Sequence, residues 1–508
     1  MKKIISFMFF LFLLGSSIAC NLTSVTTGTV STMDTITTTT LETTVTSTLD
    51  LSGADVLAYS SNSANEFTDI SSSVSKWNDG QETTLKINVD DLQTFQTFYG
   101  TGAALTYSGA YVINQSPSRN EIINYLFSES GLNIQLVRLT IGASDFVTSE
   151  VGHYTYDDTV GNVADPTLEQ FTLQKDQIIL DILQEALSIN PNIVFIAAPW
   201  SAPAWMKTNK SLYGGVLKTD YYSAYADYLV RYLTEMDNLG VHIRYLSIQN
   251  EPYYAPGNYP GMTWTIDTTK IFIRDFLGPK LITSGLNTGL MIWDHNTVDN
   301  SGTLIDFPVR VLRNAETASY VTAIGVHCYS GDEFDMADYL DYLHENNPET
   351  EVFMTECTAV TAYKNIESNM EWSVRRMYLE AYNRYASGTT YWNMALDPNG
   401  QTHLGGCDTC TGLISVPLDG QTGFTLEADG YITGHFSKDI KSGAKKIYVK
   451  VNNTSVLATG FVDNEGKITL VVFNDGAERS TSIIWRNSTF TITLPKSSLI
   501  TITWNKPL

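Results

Sequence analysis

Two glutamates stand where a carboxyl group can do chemistry. Glu251 follows the apolar run Tyr245-Leu-Ser-Ile248 and the polar pair Gln249-Asn250, and Glu356 follows Val352-Phe-Met-Thr355. An acid placed directly after a short apolar strand marks that strand's carboxyl end, and in a closed parallel barrel all such ends converge on one mouth. Two carboxyl groups about 5 Å apart can cleave a glycosidic bond with retention, one attacking the anomeric carbon and the other shuttling a proton. They need not be close in sequence. A lone Glu after a strand is ordinarily a solvated or capping residue, so the reading rests on the pair. Cys407-x-x-Cys410 in a Gly/Asp/Thr loop is spaced for a tight disulfide in an exported chain. Zinc at that loop would need two further ligands; His403 offers one, and no second CxxC or HxxxH pattern supplies another, so neither a metal nor a cofactor is expected. Cys328 and Cys357, at the ends of apolar strands, read as small core residues.

The elements that would have to position these groups follow from periodicity. From about residue 96 to 414, short apolar runs alternate with segments of helical period. Phe195-Ile-Ala-Ala198, Tyr245-Leu-Ser-Ile248, Ala323-Ile-Gly-Val326, Val352-Phe-Met-Thr355 and Thr389-Thr-Tyr-Trp392 read as strands, and Asp176 to Ser188 and Tyr221 to Leu239 as amphipathic helices. Such alternation over some 300 residues implies βα units, and the fold class expected is α/β, a (β/α)8 TIM barrel. No Gly-rich phosphate loop follows any of these strands, which weighs against a doubly wound open sheet. The chain beyond the barrel reads as strands alone, with hairpin signals at Asp463-Asn-Glu-Gly466 and Asn474-Asp-Gly476. Residues 415–508, completed by strands from 55–95, are expected to form an all-β sandwich that buttresses the barrel.

The chain has 508 residues, 43% of them hydrophobic, enough to bury a large core. Its 31 basic and 54 acidic residues leave a net charge of −23, which repels phosphate backbones, so no nucleic-acid partner is expected. Lys2 and Lys3 precede an apolar run, Ile4 to Leu14, broken only by Ser6. That is too short to span a bilayer and reads, over residues 1–20, as a secretory signal peptide. Ser17-Ile-Ala-Cys20 is similar to a bacterial lipobox, which leaves two outcomes open: membrane attachment through a lipidated Cys20, or plain cleavage after Ala19. The location expected is secreted or anchored to the cell envelope. Residues 21–54 read as a linker, with 14 Thr and 3 Ser between Asn21 and Asp50.

Ordered motifs then add a resemblance. Gln249-Asn-Glu-Pro252 looks like the acid/base motif of clan A glycoside hydrolases, and Phe353-Met-Thr-Glu-Cys357 resembles the nucleophile motif of glycoside hydrolase family 30. Gly100 to Thr106, Arg138 to Phe146, Ala198 to Asn209, Val326 to Tyr329, Tyr391 to Pro398 and Gly434 to Lys438 are similar, in order, to segments of the glucosylceramidase family. The resemblance implies a retaining enzyme in which Glu356 is the nucleophile and Glu251 the general acid/base. It implies that Asn250 binds the sugar 2-hydroxyl, that Tyr329 orients Glu356, that Trp200 and Trp392 wall the sugar, and that Arg138 supports the carboxylates. His327 is expected either to contact substrate or to be a hydrogen-bonded core residue. Where the glucosylceramidase pattern has an acid for the sugar's outer hydroxyls, this chain has Tyr107, which reads as a stacking face for a neighbouring sugar. The partner implied is a β-glucoside, either glycolipid or oligo- and polysaccharide. Glucosylceramidase-type hydrolysis is the main expectation, endo-β-1,6-glucanase the alternative, and an inactive surface lectin a distant third.

Overall fold

The computed structural model describes residues 55–360 and 365–506. The leader, Cys20 and the Thr-rich linker lie outside the described residues. Eight parallel strands close a barrel in chain order: Gly100–Leu105, Leu136–Ile141, Val194–Pro199, Ile243–Ser247, Gly289–His295, Val321–His327, Glu351–Glu356 and Ala386–Tyr391, the last pairing with the first. Helices such as Gln177–Ile189, Tyr222–Asn238 and Glu333–Asn346 return the chain between strands. Tyr222–Asn238 shows why: Tyr225, Tyr228, Leu229, Tyr232, Leu233 and Met236 recur at three- and four-residue spacing and are all buried, giving one apolar face against the barrel.

The barrel interior is layered. Leu136, Ile196, Tyr245, Met291, Ala323 and Phe353 fill its base. Above them the filling turns polar, and the top is walled by Trp200, Trp392, Phe146 and Cys410. The polar layer is therefore sealed from below by packed hydrophobes and opens only toward the strands' carboxyl ends.

Strands from both ends of the described residues build the second domain, a nine-stranded array. Leu57–Asn62, Asn65–Asp69 and Lys86–Thr97 join Lys445–Val451, Val456–Val462, Lys467–Asn474, Arg479–Trp485, Ser488–Leu494 and Ser498–Asn505. Its C-terminal strands resume at Lys445 rather than at 415. Between the two domains run the short strands Ile414–Ser415 and Thr425–Leu426 and the buried helix Ala428–Ser437. This helix is a joint: Gln135 of the barrel donates to the carbonyls of Ser437 and Ile440, while His435 bridges Ser61 and Thr501 of the β domain. The motif Gly434 to Lys438 thus does its work away from the barrel mouth.

The reading of Cys328 and Cys357 as free core thiols is corrected: the two form a disulfide, with Cα atoms 5.3 Å apart. Each is the first residue past its strand, and the sixth and seventh strands are neighbours, so the chain ends side by side at the two positions.

Candidate active site

Arg138 organises the mouth. It is buried completely, midway along the second strand and pointing inward, with Trp200 and Trp392 at 5.0 and 5.8 Å from its guanidinium carbon. Its Nη1 donates to Glu356 at 2.6 Å, and its Nη2 donates to Asn250 at 2.8 Å and to Asp294 at 3.0 Å. One rigid, always charged fork therefore fixes groups from the fourth, fifth and seventh strand ends relative to one another. Tyr329 donates its hydroxyl to the other oxygen of Glu356, Oε1, at 3.0 Å. A guanidinium on one oxygen and a hydroxyl on the other thus fix the orientation of the Glu356 carboxyl.

Glu251 is placed by backbone. Asn250 N–H donates to the carbonyl of Pro199 at the third strand's end, and Glu251 N–H donates to that of Asp294 at the fifth. Glu251 itself adopts φ +48°, a left-handed conformation that costs a side-chain-bearing residue roughly 1–2 kcal/mol and is held by those flanking bonds. Its carboxyl lies 3.1 Å from Nδ1 of His327, whose Nε2 lies 3.1 Å from Asp294. Register breaks between Trp293 and His295 and between Met354 and Glu356 turn these side chains toward the mouth, as bulges beside functional sites do.

The electrostatics follow from this packing. Burial alone would raise Asp294, but the Arg138 charge and the His327 hydrogen bond outweigh it and hold its carboxyl well below the usual range. Burial likewise opposes an imidazolium, yet the negative charge of Glu356 and hydrogen bonds to Asp294 and Glu251 raise His327 to about 9. Glu251 is pushed up by burial and pulled down further by His295 and His327. Glu251 is thus held as a carboxylate facing a protonated His327 across their 3.1 Å contact.

A cavity of about 430 Å³ opens over these groups, lined by Asn250, Glu251, Tyr329, Glu356, Trp200 and Trp392 among others. Asp145 also lines it, and sequence reasoning assigned that residue no role. Burial first, then the charge of Glu356, raise its carboxyl to about 8, so it is neutral at pH 7. The loop carrying Gly406 presses against it: Gly406 has φ +71°, and a Cβ there would lie 1.9 Å from Asp145 Oδ2. Cys407 and Cys410 in the same loop are disulfide-bonded and line the cavity.

One expected contact is corrected, and of the two readings of His327 the hydrogen-bonded core role is the one found. Tyr107 opens the helix Tyr107–Gln115, packs edge-on against Tyr154 and is not among the residues lining the cavity. His327 is wholly buried between Glu251 and Asp294, one layer beneath the cavity, and does not line it. Asp294 and His295 were missed, although Leu290-Met-Ile-Trp293 followed by two polar residues repeats the pattern that marked the two glutamates. Tyr254, Asn258 and Tyr259, on the loop after Glu251, complete the wall and carry no motif of their own.

A family model described as the glycosyl hydrolase family 30 TIM-barrel domain matches residues 98–440, and the family's beta sandwich domain matches residues 443–502. The chain belongs to glycosyl hydrolase family 30. As a family 30 protein it is a retaining β-glycosidase. It is 31% identical over 453 residues to endo-1,6-beta-D-glucanase neg1 of Aspergillus fumigatus, covering 83% of this chain and 88% of that one. It is 31% identical over 412 residues to putative glucosylceramidase 2 of Caenorhabditis elegans, covering 77% of each. The solved structure of the endo-beta1,6-glucanase BT3312 superposes with a TM-score of 0.79 at 28% identity, over 89% of this chain and 99% of that one.

Proposed function

We propose that this family 30 enzyme is an endo-β-1,6-glucanase. The observation that carries the reading is its similarity, over most of both chains, to glucanases of Aspergillus fumigatus and Neurospora crassa and to the solved glucanase structure. This departs from the glucosylceramidase type expected first, which the Caenorhabditis elegans relatives keep as the second reading. In the mechanism proposed, Glu356 attacks the anomeric carbon while Glu251 passes a proton drawn from His327 to the leaving oxygen, then takes one from water. Asn250 binds the 2-hydroxyl, Asp145 the outer hydroxyls, and Trp200 and Trp392 stack on the sugar. The acid must touch the glycosidic oxygen, so the loop after Glu251 faces the leaving group. Tyr254 on that loop lines the cavity and is 50% exposed, a flat face suited to a further glucose ring.

Two measurements test this. Azide should rescue Glu356→Ala to an α-glycosyl azide and Glu251→Ala to a β-glycosyl azide; the reverse would exchange the two roles. Linear β-1,6-glucan should fall to oligosaccharides at a higher kcat/KM than glucosylceramide in detergent, and Tyr254→Ala should raise KM for the polymer alone. Faster turnover of the lipid would favour the second reading. Export on the leader at residues 1–20 belongs to the same proposal, since such a polymer lies outside the cell. The mass of the mature N-terminus separates lipidated Cys20 from plain cleavage after Ala19.

A further inference from the structure

Beside the cavity, three ligand-type atoms come together that hydrolysis does not require as a set. Glu251 Oε1 lies 3.1 Å from Nδ1 of His327 and 3.4 Å from Nδ1 of His295, and the three atoms all fall within 4.8 Å of one another. Donors held about 2.0–2.2 Å from a tetrahedral zinc ion stand a little over 3 Å apart, so the cluster already has nearly the right span.

Two further observations point to a cation. Nε2 of His327 is turned to Asp294 at 3.1 Å, the carboxylate behind a histidine that fixes ring orientation in metal sites and directs the opposite nitrogen at the ion. Asp294 is itself anchored by Arg138 at 3.0 Å. His295 is only 8% exposed, yet its Nδ1 has no hydrogen-bond partner and faces Glu251. A buried ring nitrogen left without a bond is an uncompensated polar group, and a cation shared with Glu251 would satisfy it. Glu251 borders the open cavity, which supplies the entry path.

We infer that Glu251, His295 and His327 bind a borderline divalent transition-metal ion such as Zn²⁺ or Cu²⁺, and that occupancy switches hydrolysis off. Two imidazoles and one carboxylate suit these ions, whereas Mg²⁺ and Ca²⁺ demand six or more oxygen donors. The ion occupies the Glu251 oxygen that lies 3.1 Å from Nδ1 of His327, so that oxygen can no longer reach the leaving group or water. The inhibition rests on the reading of Glu251 as acid/base; the binding does not.

Chelator-stripped whole protein is titrated with ZnCl2 by calorimetry and with CoCl2 by visible absorption, while aryl β-glucoside hydrolysis is followed in parallel. One ion per chain, loss of activity restored by EDTA, and no effect of Mg²⁺ or Ca²⁺ are expected. His295→Gln should weaken zinc binding at least about 10-fold, since it removes a direct ligand. Should that variant fail to fold, as judged by its melting transition, Glu251→Gln should show the same loss by calorimetry, which needs no activity. Zinc affinity unchanged in the folded variant would overturn the site and place any inhibition elsewhere. Stoichiometric binding that leaves turnover intact would overturn the inhibition, and with it the assignment of Glu251.

Discussion

Asp145 shows what the site costs its own fold. A carboxyl raised to about 8 binds its proton more tightly when folded than when unfolded, where the ordinary value is near 4. The stability it permits is complete below pH 4 and is lost progressively as pH rises toward 8. At pH 7 the penalty is on the order of 4 kcal/mol. Asp145→Asn should therefore raise Tm by several degrees at pH 7, with the gain shrinking as pH falls to 4. The same change should lower kcat/KM about 10-fold, because the neutral carboxyl offers a sugar hydroxyl an O–H donor that the amide replaces with a weaker N–H. Melting curves at pH 4 and 7 beside kinetics would check both; a variant less stable at pH 7, or fully active, would sink the idea. Glu251 and Glu356 were legible because each follows an apolar run. Asp145 sits inside a recognisable motif, yet its importance comes from a cavity formed by the loop around Gly406, more than 250 residues away, which no local pattern encodes.

Among the elements, strand ends matter more than strands. The five strands and two long helices read from periodicity occur with ends within a few residues of those expected, since burial on one face imposes a period that survives in sequence. The first, second and fifth barrel strands went unread, Gly100–Leu105 being built mostly of small residues, Arg138 interrupting the second and the break at Trp293 ending the fifth. Pairing across neighbouring strands was equally invisible: Cys328 and Cys357 are 29 residues apart and meet only once the barrel closes. Their bridge ties Tyr329 to Glu356, since each residue adjoins one cysteine. A crosslink closing a loop of this length contributes about 3 kcal/mol in the chain-entropy account. Replacing both by Ala should lower Tm by several degrees and kcat several-fold more than KM rises, because the Tyr329 to Glu356 hydrogen bond loses its frame. Scanning calorimetry and steady-state kinetics on the double variant measure this; wild-type Tm and kcat together would show the bridge to be idle.

On the scale of the whole molecule, strands from the first and last parts of the described residues are clasped together in the β domain. Lys86–Thr97 lies between Arg479–Trp485, which it pairs in parallel, and Lys445–Val451, which it pairs antiparallel. That the N-terminal strands join the C-terminal ones could be read from the sequence, but not that one of them would be inserted centrally. Asp91 on this strand marks the insertion. Its buried carboxylate accepts from Trp485 Nε1 at 2.7 Å and from Arg486 at 2.7 and 2.9 Å, and pairs with Lys506 at 2.7 Å. Burial would raise it, but the bonds from Arg486, Lys506 and Trp485 prevail and lower it to about 2. A depressed carboxyl stabilises the fold above its unfolded value near 4, and that contribution disappears as pH falls through about 2. The shift corresponds to about 2 kcal/mol at neutral pH. Asp91→Asn should consequently lower Tm by a few degrees at pH 7, and the gap from the wild type should narrow steadily below pH 4. Because the clasp lies in the β domain and the catalytic groups at the barrel mouth, kcat/KM measured well below Tm should not change. Melting curves from pH 3 to 7 with one kinetic comparison at pH 7 decide it. A pH-independent Tm gap would show that Asp91 acts by packing rather than charge, and a lowered kcat/KM would mean that the β domain shapes the barrel mouth itself.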